Sequence, residues 1–187
     1  MREGHLEVRI SDVLEKAPAP ILEALATILI SKLFRRPVPS AFSLRYRRYL
    51  NRKDIRTNLH LVRQSRGRKL ILDARGQHFD LEVLFEELNF QFFHGLMSRP
   101  RLGWSRTLSR TALGHYDPSH NSIVISRILD RQNASLALRY VLYHEMLHLR
   151  FPVEHRGARR CVHTREFKEA ERQFPFLKEA TELLKKL

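Results

Sequence analysis

Cysteine is nearly absent from this chain, since Cys161 is the only one among 187 residues. A single thiol cannot form a disulfide within the chain, and it cannot build a Cys-rich structural zinc site. Any metal ion must therefore be held by histidine and carboxylate side chains. Nothing in the sequence pairs Cys161 with a base, so we expect an inert thiol and assign it no role.

The sequence also lacks a long hydrophobic run. Its most apolar stretch, residues 21–34, includes Glu23 and Lys32, and it is shorter than the roughly 20 apolar residues that a membrane-spanning helix needs. Residues 1–12 mix charges of both signs without an apolar segment behind them, so no secretory signal is visible. We therefore expect a cytoplasmic protein with no membrane partner.

Acidic residues are few relative to basic ones. The chain has 20 Asp and Glu against 34 Lys and Arg, which gives a formal net charge of +14. Residues 35–69 contain twelve basic residues and one acid, Asp54, so this segment carries +11 of that charge (12 − 1). Such a concentration of positive charge favours a polyanionic partner.

Aromatic residues alternate with arginines inside this basic segment, where Phe42, Tyr46 and Tyr49 lie among the basic side chains. This mixture offers phosphate contacts and stacking surfaces, which predicts binding to DNA, especially single-stranded DNA. The alternative is a solvated, Arg-rich face without a ligand. The predicted nucleic-acid contacts are Arg45, Arg47, Arg48, Arg52 and Lys53.

Two regions are predicted, with a boundary near Gly76. The front region, residues 1–75, is a basic region of helical and strand segments. It is expected to contain a short strand at 7–10 and a helix at 21–34 that is apolar on all sides and therefore buried. Residues 42–51 and 59–72 are ambiguous between helix and strand.

The back region, residues 76–187, has a clearer pattern. Asp80 precedes apolar residues spaced as on one face of a helix that ends at Gly95. Further on, Asn133 or Ser135 is the expected cap of a second helix, which stops at Phe151-Pro152. This second helix is predicted at 136–150, and a third helix is predicted at 164–173. Strands are predicted at 101–106, 111–116 and 122–126, and the last two should form an antiparallel hairpin.

Residues 143–148 read Tyr-His-Glu-Met-Leu-His. On a helix, residues four apart share a face about 6 Å apart, so His144 and His148 can direct both imidazoles at one metal ion. Two histidine ligands favour zinc or another borderline transition metal. Glu145 projects beside the metal, where a carboxylate can take a proton from an activated water.

A catalytic zinc needs a third protein ligand and one open position. His155 is one residue out of register for a metzincin pattern. Glu166 or Glu169 would complete a His-His-Glu site. We favour His163, which lies at the start of the following predicted helix.

Several short segments of the back region form a recognisable combination with the histidine motif. They are Leu88-Asn89, Phe92-Phe93, Gly95-Leu96, Gly103-Trp104, Leu113-Gly114-His115-Tyr116, residues 121–125, residues 144–149, and His163-Thr164-Arg165-Glu166-Phe167. In these segments the chain resembles the SprT-like family of zinc metallopeptidases, over residues 76–187. Thr164 stands where that family usually has glycine.

The resemblance implies a zincin-like α+β fold, in which an active-site helix packs on a small antiparallel sheet. It says nothing about the front region, which is predicted from its composition to be an Arg-rich N-terminal extension. The resemblance also implies one Zn²⁺ per chain on His144, His148 and His163, with Glu145 as general base. The expected function is hydrolysis of peptide bonds in protein or peptide substrates, including DNA-associated proteins. The alternative is a nucleic-acid-binding protein whose zinc site is structural or silent.

A group that stabilises the oxyanion is also expected in a peptidase. The sequence does not single one out. The candidates are His115, Tyr116, Tyr143 and His155.

Overall fold

A computed structural model describes residues 7–66 and 72–187. Within these ranges the helices are α1 (Ala19–Leu33), α2 (Ser40–Leu50), α3 (Lys53–Arg66), α4 (Leu81–Phe93), α5 (Ser135–Arg150), α6 (Arg165–Glu171) and α7 (Leu177–Lys185). The strands are β1 (Arg101–Trp104), β2 (Gly114–Asp117), β3 (Ser122–Ile125), β4 (Glu154–Arg156) and β5 (Arg159–Cys161). Short 3-10 helices occur at Asp12–Leu14, Arg127–Leu129 and Gln132–Ala134.

The chain divides into two compact units. The N-terminal unit comprises the described part of Met1–Arg66 together with His155–Arg160. The second unit comprises the described part of Gly67–Glu154 together with Cys161–Leu187. The border that the sequence suggests near residue 76 stays a prediction.

The N-terminal unit is helical. Pro20 lies in the first turn of α1, where its missing N–H costs no helical hydrogen bond. The predicted helix is confirmed, but its burial on all sides is wrong, because only Ile21 and Ala24 are buried and Leu33 is 50% exposed. In a helix that packs along one side, apolar residues on the other side remain in solvent.

The ambiguous segment 42–51 folds as α2, and the described residues 59–66 of the segment 59–72 belong to α3. Residues 67–71 of the second segment, with Arg68 and Lys69, lie outside the described residues. The strand expected at 7–10 is wrong, since those residues form no strand. The core of the unit consists of Leu14, Ala17, Ile21, Tyr49 and Ile55.

In the second unit, α4 begins as predicted. The side chain of Asp80 accepts a hydrogen bond from the Glu82 N–H at 2.8 Å, which satisfies a backbone donor of the first turn. The helix ends where His94 and Gly95 adopt positive φ values of 54° and 72°. Glycine tolerates that conformation without steric cost.

The sheet of the second unit has the order β1-β3-β2. The predicted antiparallel hairpin of β2 and β3 is confirmed. However, β1 pairs with β3 in parallel, so the expectation of a wholly antiparallel sheet is wrong. The hairpin places β3 between β1 and β2. Strands β1 and β3 both run antiparallel to β2, so they are parallel to each other.

Helix α5 packs against this mixed sheet and contributes much of the core, including Leu138, Leu142 and Met146. Its predicted end at Phe151 is confirmed. Its predicted cap is wrong: the N-cap residue is Ala134, without a side-chain hydrogen bond, because a 3-10 turn leads directly into the helix. No helix among the described residues is both long and apolar enough to cross a membrane.

Candidate metal centre

Three imidazoles converge where α5 approaches the start of α6. One ligand nitrogen from each of His144, His148 and His163 lies within 4.8 Å of the other two. The ring centroids are 5.1 Å (144 to 148), 5.0 Å (144 to 163) and 5.1 Å (148 to 163) apart. This nearly equilateral set of three imidazole nitrogens could hold a metal ion, and three histidine ligands are a donor set that zinc accepts.

The other candidate ligands lie outside this cluster. His155 belongs to the N-terminal unit. The carboxylate of Glu169 pairs with Arg165 at 2.7 Å, and Glu166 is exposed. Of the alternatives that the sequence left open, the structure therefore brings only His163 to His144 and His148 within the described residues.

Phe167 forms the floor of the cluster. Its ring centroid lies 5.1 Å from His144, 4.8 Å from His148 and 4.6 Å from His163, and the side chain is fully buried. The Thr164 hydroxyl accepts a hydrogen bond from the Phe167 N–H at 3.3 Å, so it caps the helix that presents this ring. Packing against all three imidazoles restricts their rotation and excludes water from that side.

Glu171 orients His144 through a hydrogen bond to its Nδ1 atom. Its Oε1 lies 2.6 Å from His144 Nδ1 and accepts a second hydrogen bond from the Tyr140 hydroxyl at 3.0 Å. The hydrogen bond from His144 keeps the pKa of Glu171 below its usual value. With Nδ1 donating to a carboxylate, the Nε2 lone pair of His144 is free for a metal ion.

No sequence pattern points to Glu171, and Phe167 is predicted only as part of the segment that matches the family. A partner for His144 could have been expected, because a metal-bound histidine usually donates its second nitrogen to a carboxylate or carbonyl. Several acids follow His163 in the chain, however, and the sequence does not show which of them turns toward His144.

Glu145 is 7% exposed and lies against the start of β2. A Cβ added at Gly114 would come within 2.6 Å of Glu145 Oε1 and 2.8 Å of Val141 Cγ1, so only glycine leaves room for this carboxylate. The backbone N–H of Tyr116 donates to it. Burial raises the pKa of Glu145, while nearby His144 and the Tyr116 hydrogen bond act in the opposite direction. A carboxylate whose pKa is raised is a stronger base.

Two of the three histidines, His148 and His163, have lowered pKa values. Burial, followed by the neighbouring His144 and His163, lowers the pKa of His148 to about 4. Burial also lowers the pKa of His163, with a further contribution from His144. Both rings are therefore neutral at pH 7, the state in which imidazole binds metal ions.

The four candidates for stabilising an oxyanion differ in their positions and in the contacts that they already make. Tyr143 is 1% exposed and its hydroxyl donates to the Ala170 carbonyl at 2.8 Å, so this group is already engaged in the core. His155 lies in the N-terminal unit. His115 and Tyr116 remain, both on β2, and a positive charge on His115 would lower the pKa of His148.

The predicted nucleic-acid residues of the N-terminal unit fall into two groups. Two of them form intramolecular ion pairs: Arg45 with Glu23 at 3.6 Å, and Arg52 with Asp54 at 3.0 Å. Arg47, Arg48 and Lys53 are exposed. The expectation that Tyr49 offers a stacking surface is wrong, because its ring is only 7% exposed within the core.

Comparison with known proteins supports one assignment. The SprT-like family model matches residues 81–183, which run from the first residue of α4 into α7 and include the whole histidine cluster with Glu145 and Glu171. Neither the curated proteins nor the solved structures contain a significant match. Because the family model covers more than half of the chain, this protein belongs to the SprT-like family.

Proposed function

We propose that the protein is a zinc-dependent metallopeptidase that binds one Zn²⁺ through His144, His148 and His163. The observation that carries this proposal is the convergence of three imidazole nitrogens within 4.8 Å of one another beside the buried carboxylate of Glu145. Membership of the SprT-like family supports it. We expect protein or peptide substrates.

A bound zinc ion supplies a Lewis acid that lowers the pKa of water to about 7. The chain supplies the remaining chemistry. Glu145 takes the proton from the attacking water and returns it to the leaving amine, a role favoured by its raised pKa. Glu171 keeps His144 in the orientation and tautomer that ligation requires.

The edge strand β2 is the proposed platform for the substrate. Within the described sheet it pairs only with β3, so its other side can accept an extended peptide backbone. Gly114 and Tyr116 of β2 contact Glu145 directly. A peptide added to this edge would therefore run beside Glu145 and along the strand that carries His115 and Tyr116.

We further propose that the substrates include DNA-associated proteins, because exposed Arg47, Arg48 and Lys53 supply positive charge on the N-terminal unit. Substituting Arg47 and Arg48 with glutamine should weaken binding to single-stranded DNA. The slope of the logarithm of the binding constant against the logarithm of the salt concentration should become shallower by about 0.7 for each phosphate contact that is lost. Arg45 and Arg52, already ion-paired, should contribute less. Equal effects at all four positions would contradict this assignment.

The peptidase mechanism is tested by Glu145→Gln, which keeps the size of the side chain and removes the base. Cleavage of an unfolded protein substrate should fall about 10²- to 10⁴-fold, while metal analysis still finds one zinc per chain. Glu169→Gln, an exposed change on α6, is the matched control and should leave cleavage unchanged. Full activity in Glu145→Gln would refute the mechanism.

The alternative function makes a different prediction for the unmodified protein. If the zinc site were structural or silent, DNA binding would be salt-sensitive and unaffected by Glu145→Gln. No peptidase activity would then be found in the unmodified protein with or without DNA. Measuring both activities on the same preparation therefore separates the two functions.

A further inference from the structure

A second polar site lies in the same unit as the histidine cluster but uses none of its residues. It is a cleft of about 440 Å³ where the chain leaves the carboxyl ends of the parallel strands β1 and β3. Three arginines line it: Arg75 before α4, and Arg127 and Arg131 after β3. All three are exposed.

The one carboxylate in the cleft is already satisfied. Asp130 accepts hydrogen bonds from the backbone N–H groups of Gln77, His78 and Phe79 at 2.6, 2.9 and 3.1 Å. A Cβ at Gly76 would lie within 2.8 Å of the carboxyl atoms, so the loop fits closely around Asp130. Asp130 therefore fixes the shape of the cleft and does not pair with the arginines.

No carboxylate of the described residues forms an ion pair with Arg75, Arg127 or Arg131. Other arginines of this unit, such as Arg99 and Arg139, contact glutamates directly. Three guanidinium groups around one concave site, with a single internally bonded acid, leave an excess of positive charge. Such a site attracts an anion that can accept several hydrogen bonds at once.

Apolar groups complete the wall. Leu108 is 64% exposed and Leu72 is 39% exposed, and both line the cleft beside the buried ring of Trp104. A ligand here can therefore combine charged oxygens with a less polar part. A phosphate group attached to a sugar or base has this combination, whereas free carboxylates on an acidic peptide offer fewer oxygens to three guanidinium groups.

We infer that this cleft is a binding site for a phosphate group, carried either by single-stranded nucleic acid or by a small phosphate compound. Arg75, Arg127 and Arg131 bind the phosphate oxygens, and Leu72 and Leu108 contact the attached group. The lining residues of the cleft all belong to the second unit. Binding at the cleft does not depend on the peptidase activity.

Trp104 allows a direct test, because it is the only tryptophan of the chain and lines the cleft. Titration of the full-length protein with inorganic phosphate or with oligothymidylate should change its tryptophan fluorescence. The test variant is Arg127→Gln combined with Arg131→Gln. The matched control is Arg101→Gln combined with Arg165→Gln, which removes the same charge at two other exposed positions.

The test variant should weaken binding of at least one phosphate probe about tenfold or more, and the control less than about threefold, because the control loses only nonspecific attraction. Loss of oligothymidylate binding alone identifies nucleic acid as the source of the phosphate, and loss of phosphate binding alone identifies a small compound. Equal weakening in both variants would overturn the inference. So would equally strong binding of polyglutamate. Unchanged melting temperatures establish that both variants fold.

Discussion

Oε1 of Glu171 lies 2.6 Å from Nδ1 of His144, and this contact joins the end of α6 to the face of α5 that carries the candidate metal ligands. The same oxygen accepts the Tyr140 hydroxyl at 3.0 Å, so the carboxylate is held by two donors of α5. His144 is therefore oriented before any metal ion arrives. A preoriented ligand loses less conformational freedom on binding.

Glu171→Gln should weaken zinc binding about 10- to 100-fold, because an amide is a weaker acceptor for the Nδ1 proton and leaves His144 less basic. Competition with a chromogenic chelator measures this directly, without any peptidase assay. Glu169→Gln serves as control, since it changes an exposed acid of the same helix that pairs with Arg165 and not with a histidine of the cluster. Equal zinc affinity in the two variants would show that Glu171 has no positioning role.

Gly114→Ala should abolish most peptidase activity while leaving zinc bound. The new methyl group would meet Glu145 Oε1 at 2.6 Å and Val141 Cγ1 at 2.8 Å, which would displace the Glu145 carboxylate but not the three histidines. Adding Val141→Ala should restore part of the activity by removing one of the two clashes. Normal cleavage by Gly114→Ala alone would contradict the placement of Glu145 against β2.

Phe167→Ala should destabilise the protein by about 3–5 kcal/mol, the usual cost of removing a fully buried phenylalanine ring. It should also weaken zinc binding, because all three histidine rings lose a packing partner. Denaturant unfolding gives the first quantity and chelator competition the second. Phe174→Ala is the control: this buried core ring contacts Tyr140 and Tyr143, so stability should fall with a smaller loss of zinc affinity.

The metal-free protein should lose stability as the pH falls from 6.5 toward 4. Burial and the neighbouring imidazoles hold the pKa of His148 at about 4 in the folded state, below the ordinary value of 6.5. In this window the unfolded chain binds a proton that the folded chain does not, so acid favours unfolding. Glu171, whose pKa is lowered, acts in the same direction below its ordinary pKa.

Thermal unfolding of the metal-free protein across this pH range measures the effect, with His148→Gln as comparison. The variant should show a flatter dependence on pH, because it lacks the titrating ring. Identical curves for the two proteins would show that His148 does not contribute. Zinc should suppress the dependence in the unmodified protein, since ligation competes with protonation.

Much of the second unit could be predicted from local patterns. The periodicity after Asp80 and the helix around His144 are properties of single segments, and so is the hairpin of β2 and β3. The predictions were wrong where the structure of a segment depends on the other elements that it packs against. The exposed side of α1 and the parallel pairing of β1 follow from how elements pack, which local propensity does not encode.

The sequence by itself determined the chemistry of residues 144–148, because the spacing of two histidines and a glutamate on one helix sets which groups can share a metal ion. Only the tertiary structure decided what surrounds them. The second unit brings His163 to the other two rings, places Phe167 beneath them and turns Glu171 toward His144. These contacts join separate elements, so their geometry arises only when α5, α6 and the sheet share one core.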